Sequence, residues 1–267
     1  MARKSKKQKF KYSVLTFIFG DYEKLHEVGG EMEKDVEYIC VTDNPELKSD
    51  TWKIIIDKDL NGKGVFDKCF SVRYNPFKYC NSDICVRIDG SIGILKPITP
   101  LVDAFIESGC DACFLLHPYR DNLFEEYKVW GKYRNYPIKQ IEKQILSLAR
   151  IGYDSKKNGL IQLNFAINKR GKICDDINRI TYAMLKYLGD ENDLDRLDQT
   201  VITAILDRYF PDLKIFFVGE DITHSEYMQR YQHNSDNKMP YAESSILEPF
   251  FRGEKVDVFS FNEEIKG

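Results

Sequence analysis

No apolar run in this sequence approaches the roughly 20 residues that cross a bilayer, and no h-region of a secretory signal follows its first residues. Together these absences predict a cytoplasmic protein without a transmembrane segment. Excess positive charge is also missing, since 39 Lys and Arg stand against 42 Asp and Glu for a net charge of −3. Neutralising phosphates needs a basic face, so nucleic acid is excluded as a partner. The one basic run, Arg3 to Lys11 (RKSKKQKFK), reads either as a flexible solubilising tail over residues 1–11 or as a weak peripheral contact to an anionic membrane surface. A disulfide framework is missing too. The seven cysteines (Cys40, Cys69, Cys80, Cys85, Cys110, Cys113, Cys174) are odd in number and sit in apolar contexts. Only Cys110 and Cys113 have CxxC spacing, and no second pair or histidine cluster completes a zinc site, so all seven read as reduced core thiols. Without an internal repeat or a Pro/Gly/Ser-rich linker, residues 12–267 read as one domain.

What is present is a globular composition, 43% hydrophobic and 30% charged, rich in aromatics with 16 Tyr and 17 Phe. Those rings suit a core and equally suit stacking on sugars or bases. Short apolar runs recur at Tyr12 to Phe19, Val36 to Val41, Trp52 to Ile56, Ile84 to Ile88, Ala112 to Leu116, Gly159 to Asn168 and Lys214 to Val218. Between them lie helical patterns at the start of Phe66 to Tyr79, at Pro100 to Ser108, Pro137 to Ile151, Ile173 to Leu188 and Leu194 to Tyr209. Alternation of this kind predicts an α/β fold with a mostly parallel central sheet flanked by helices. In such sheets ligands bind at the strand C-termini, which places Thr16, Asp43, Asp89 and His117 near one edge.

The stretch CVRIDGSIGIL, Cys85 to Leu95, has a β-branched strand stopping at Asp89-Gly90-Ser91. A carboxylate at the end of an interior strand is costly unless it is paired, hydrogen-bonded or bound to metal. A hard cation such as Mg²⁺ or Mn²⁺ takes oxygen ligands and commonly bridges carboxylates to phosphates, and Gly90 would let a ligand approach the backbone. An Asp-Gly pair after a strand reads equally as a turn.

The order VLTFIFGDYEKL, YICVTDNPEL, Arg73 to Lys78 (RYNPFK), CVRIDGSI, LLHPYRDNLFEEY, GLIQLNFAI and LDQTVI, from Tyr12 to Phe217, resembles a glycosyltransferase-like domain. That domain is known from plant turgor-regulation and mucilage proteins and from bacterial polysaccharide loci, and IDGSI is similar to the DxD region of GT-A fold nucleotide-sugar glycosyltransferases. The resemblance implies a single GT-A-like domain with a donor half over about 12–116 and an acceptor half over about 117–267. It also implies a nucleotide-sugar donor, most simply a UDP-sugar, a glycan or other hydroxyl acceptor, and a place in polysaccharide biosynthesis.

Carried over, Thr16 and Phe17 line the base pocket and Asp43 contacts the nucleoside. Arg73 and Lys78 face the donor phosphates, although as residues alone they read as a solvated helix face. Asp89 is the metal ligand for Mn²⁺ or Mg²⁺. Ser91 stands where many families carry the second aspartate, which leaves the two-carboxylate clamp incomplete. His233, read from its residues alone as an exposed loop histidine, would be the late metal ligand. His117, Arg120 and Asn164 would serve the acceptor side, and Glu125 and Glu126 either bind acceptor hydroxyls or face water. Asp198 and Gln199 would sit beside the anomeric carbon in a retaining-type site, while Asp198 alone reads as a charge complementing a helix dipole. The alternative function is a non-catalytic nucleotide-sugar-binding or scaffold protein. A glycoside hydrolase ranks last, because helix neighbours Glu125 and Glu126 point about 100° apart and make a poor facing pair.

Overall fold

The structure, a computed structural model, describes residues 10–117, 119–133, 136–157, 159–189, 197–218 and 220–238. Its strands are β1 (Tyr12–Ile18), β2 (Val36–Thr42), β3 (Lys53–Ile56), β4 (Ile84–Ile88), β5 (Ile92–Ile94), β6 (Ala112–Leu116), β7 (Ile161–Lys169), β8 (Ile215–Val218) and β9 (Met228–Arg230). Its helices are α1 (Val65–Arg73), α2 (Thr99–Ser108), α3 (Leu123–Tyr133), α4 (Ile138–Arg150), α5 (Lys172–Leu188) and α6 (Asp198–Tyr209).

Seven strands form one sheet in the order β3-β2-β1-β4-β7-β6-β8, and β5 pairs with β9 in a separate ribbon. Every pairing in the large sheet is parallel except those of β7, which runs against both β4 and β6. The fold is therefore α/β, with a mostly parallel mixed sheet flanked by helices. The runs that make β1, β2 and β4 are buried at every residue, as strands covered on both faces must be. One face packs Val14, Ile18, Val86 and Ile88 against Leu101, Val102 and Phe105 of α2, with Ile92, Ile94 and Met228 of the small ribbon completing the layer. On the other, Leu15, Phe17, Ile39 and Val41 lie under Val72 of α1. Farther along, Phe114 and Ala166 lie under Ile177 of α5 and Ile202 and Leu206 of α6.

Pro76 stands at a turn, as a proline inside a helical pattern is expected to. The stretch Phe66 to Tyr79 divides, because Pro76 lacks an N–H for a continuing helix and instead opens a separate 3-10 turn, Pro76–Lys78. The three-residue strands β5 and β9 are too short to show a period in sequence. Lys11, expected within a tail over residues 1–11, belongs to the folded body: its N–H donates to the Asp35 carbonyl at 2.8 Å and its ammonium pairs with Asp103 at 2.8 Å. Residues 1–9 and 239–267 lie outside the described residues. Among the described residues, no helix is long and apolar enough to cross a membrane.

Candidate functional site

The chain leaves β1 toward β2 and β3 on one side, whereas β4 pairs on the other side of β1. Strand order thus reverses between β1 and β4, and the crevice outside their carboxyl ends is where open α/β sheets bind ligands. Asp89 follows β4 directly, Asp43 follows β2 and His117 follows β6. The reversed strand β7 brings its beginning to the same edge, where the Asn164 carbonyl accepts the Asp89 N–H at 2.9 Å. Gly90 is needed here: a Cβ would stand 3.0 Å from Ile18 Cγ1 and 3.2 Å from Glu23 Cγ.

Arg73, the last residue of α1, donates from Nη2 to Asp89 Oδ1 at 2.7 Å and from Nη1 to Asp198 Oδ2. The Tyr74 hydroxyl donates to the same Asp198 oxygen at 3.3 Å. Asp198 opens α6, so the segment after β4 and the start of α6 are joined through a single guanidinium. The Arg73 side chain is 11% exposed, Asp198 10% and Asp89 32%, which leaves Asp89 as the face of the cluster most open to solvent. Burial opposes the Arg73 charge, but Asp198 and Asp89 outweigh it and hold the guanidinium protonated above its ordinary range. Its plane also lies 5.6 Å from the Phe17 ring centroid and 5.8 Å from that of Phe70.

A second polar chain adjoins the first. The His117 Nδ1 accepts the backbone N–H groups of Tyr119 and Arg120, each at 3.2 Å, and its Nε2 meets the Arg120 guanidinium. Arg120 pairs with Glu126, which also accepts from Trp130 Nε1 at 2.7 Å and from the Gln199 amide. Burial, with Arg120 and Arg230 nearby, pushes the His117 pKa well down and keeps the ring neutral. Glu126 is fully buried, so it is not among the glutamates that face water; burial raises its pKa, opposed by Arg120. Glu125 accepts the Asp121 N–H at 2.7 Å and so braces the turn before α3. Because Gln199 follows Asp198, the two chains meet at the start of α6.

Of the other expected residues, Phe17 touches the cluster through its ring against Arg73, and the rest are held elsewhere. Thr16 and Phe17 occupy opposite faces of β1, as strand neighbours must, so the two do not line one pocket. Thr16 is buried with its hydroxyl unpaired, and Phe17 packs in the core layer beneath α1. Asp43 accepts the Gly20 N–H at 3.0 Å and the Lys68 ammonium at 2.7 Å; burial opposes its charge, yet these donors hold its pKa below the usual range. Lys78 does not join Arg73: its ammonium pairs with Asp57 at 2.6 Å and Asp59 at 2.9 Å, drawn off by the turn that Pro76 imposes. Ser91 is buried, and its carbonyl accepts the Tyr231 N–H at 2.8 Å, a brace between β5 and β9. His233 meets Glu23 through Nδ1 and the Tyr22 hydroxyl through Nε2 at 3.2 Å.

Among the described residues, no three carboxylate, imidazole or thiol groups assemble that would hold a metal ion. Asp89 has given one oxygen to a guanidinium and His233 one nitrogen to a carboxylate, so this pair does not fit a divalent cation as it stands. The cysteines are all free; burial pushes the Cys69 thiol up to about 12 and that of Cys174 up to about 11, which leaves neither as a thiolate at neutral pH.

Arg87, on the buried strand β4, was not singled out from the sequence. An arginine inside an otherwise apolar strand two residues before Asp89 is the signal that was there to read. Tyr74 and Glu23 carry no comparable signal, since only tertiary packing brings them to the crevice. No family model matches this chain, and no curated protein matches it.

Proposed function

We propose that the protein is a glycosyltransferase that moves a sugar from a nucleoside-diphosphate sugar to a glycan or other hydroxyl acceptor. The observation that carries this reading is the Arg73 bridge between Asp89 and Asp198 at the strand-order reversal. It joins a residue expected on the donor diphosphate to one expected beside the reacting carbon. Sugar transfer needs a stabilised leaving group, an oriented acceptor and exclusion of water. A guanidinium is suited to the first, because its fork of donors matches phosphate oxygens. The buried chain from His117 through Arg120 and Glu126 to Gln199 supplies fixed dipoles beside the same point, which suits the second.

A UDP-sugar turnover assay tests the reading. Asp89→Ala is expected to lose activity by at least about a hundredfold, the scale of one well-placed electrostatic group. Activity within a few-fold of the parent would remove Asp89 from the site. The engagement of both carboxylates by Arg73 favours a second reading, a nucleotide-sugar-binding protein without turnover; nucleotide-induced stabilisation with no sugar release from any acceptor screened would select it.

A further inference from the structure

Arg87 is 3% exposed, and among the described residues it forms no ion pair. Its Nη1 donates to the Leu163 carbonyl at 3.3 Å, while Nε is buried without a partner. Two residues before Asp89 on an extended segment, it shares that residue's face of the sheet, and it lies within electrostatic reach of Arg73, Asp89 and Asp198. The group therefore holds two cations and two carboxylates, and of the two arginines Arg73 is the one hydrogen-bonded to the carboxylates, with the Tyr74 hydroxyl also donating to Asp198. A guanidinium buried without its own carboxylate is destabilising. Its charge has a use if Arg73 does not always stay where it is.

We propose that Arg73 exchanges its two carboxylates for the diphosphate of the donor, that Arg87 then serves as the counter-ion of Asp89 and Asp198, and that this exchange needs no divalent cation. The proposal rests on the nucleotide-sugar reading and assigns to Arg87 a positioning role. With Arg87 behind it, the departure of Arg73 does not leave the buried Asp198 and the half-buried Asp89 without a counter-ion, which would otherwise oppose anion binding. A divalent cation at Asp89 would instead meet a guanidinium already bonded at 2.7 Å and a second one close by, an arrangement repulsive to further positive charge. The balance of charge thus favours an entering anion that draws Arg73 outward over an entering metal ion.

Thermal shift of the full chain with UDP and with inorganic pyrophosphate, each in EDTA and in Mn²⁺, tests this. The parent is expected to gain roughly 5 °C or more at a hundredfold excess of ligand over its Kd, equally in both conditions. Arg87→Lys should retain the shift. Arg87→Met should weaken ligand affinity by about tenfold or more, while its own Tm without ligand equals or exceeds that of the parent. A purely structural arginine would give the opposite pattern, a lower Tm with unchanged affinity, and that result would overturn the proposal. Ligand stabilisation of the parent only in Mn²⁺ would overturn the metal-free exchange and leave the nucleotide-sugar reading standing. No stabilisation by either ligand in either condition would overturn both.

Discussion

Arg73 donates to carboxylates that the chain supplies from opposite halves, and neither has another cation bonded to it among the described residues. Losing charge-assisted hydrogen bonds while a second cation stays nearby typically costs about 1.5–3 kcal/mol, less than leaving a buried charge uncompensated. Arg73→Met is therefore expected to lower stability by that order, read as a fall in the urea midpoint. Asp198→Asn should cost less, since an amide still accepts from Tyr74 and Arg73. A double-mutant cycle over the two should give a coupling above about 1 kcal/mol, as for residues in one network; additive effects would show that the bridge does not form in solution. At this scale the sequence was partly legible. Asp89 announced itself as a carboxylate at the end of an interior strand, whereas Lys78 carried the same charge and the same expectation as Arg73 but belongs to a different cluster.

At the scale of the element, the ribbon of β5 and β9 packs Ile92, Ile94 and Met228 into the core layer on the α2 face of the sheet. It is anchored on the loop after β1 by the stacking of His26 on Tyr231, with ring centroids 3.8 Å apart, by the His233 contacts to Tyr22 and Glu23, and by the Lys24–Asp236 pair. Gly93 in β5 permits this approach, because a Cβ there would stand 2.8 Å from Tyr231 Cε2 and 3.2 Å from His26 Cβ. The Tyr231 ring already lies against His26 and has little room to yield. Gly93→Ala is expected to cost about 1–3 kcal/mol as overpacking does, and to do so locally. Hydrogen exchange at Met228 to Arg230 should accelerate while β1 and β4 keep their protection; equal loss of protection across the large sheet would contradict this. Local pattern does not announce the ribbon, since three residues show no period and its partners come from distant loops.

For the molecule as a whole, pH acts through groups that the fold holds in one state. Burial keeps His26 and His117 neutral below the ordinary histidine value and lowers His224 to about 4, with Arg230 adding to the last two. Below about pH 6.5 the unfolded chain takes up protons that these folded histidines refuse, so their contribution is present above that pH and declines as pH falls. Asp43 and Asp57 are only partly covered, and although that desolvation opposes their charge, Lys68 and Lys78 hold them below the ordinary carboxylate value, so their contribution is present above about pH 3.8 and is lost below it. Both sets act in one direction. The urea midpoint is expected to fall between about pH 7.5 and about pH 5, and further below pH 4; a flat profile would mean that the histidines are solvated. Strand and helix periods by themselves determined the α/β class, most element boundaries and the edge on which Asp43, Asp89 and His117 gather, because burial on both faces writes an unbroken apolar run and ligand edges follow strand direction. Only tertiary structure decided that β7 runs backward, that Arg73 rather than Lys78 meets Asp89, and that Arg87 stands behind them. Those outcomes depend on which distant segments share a face, and local pattern carries no information about that.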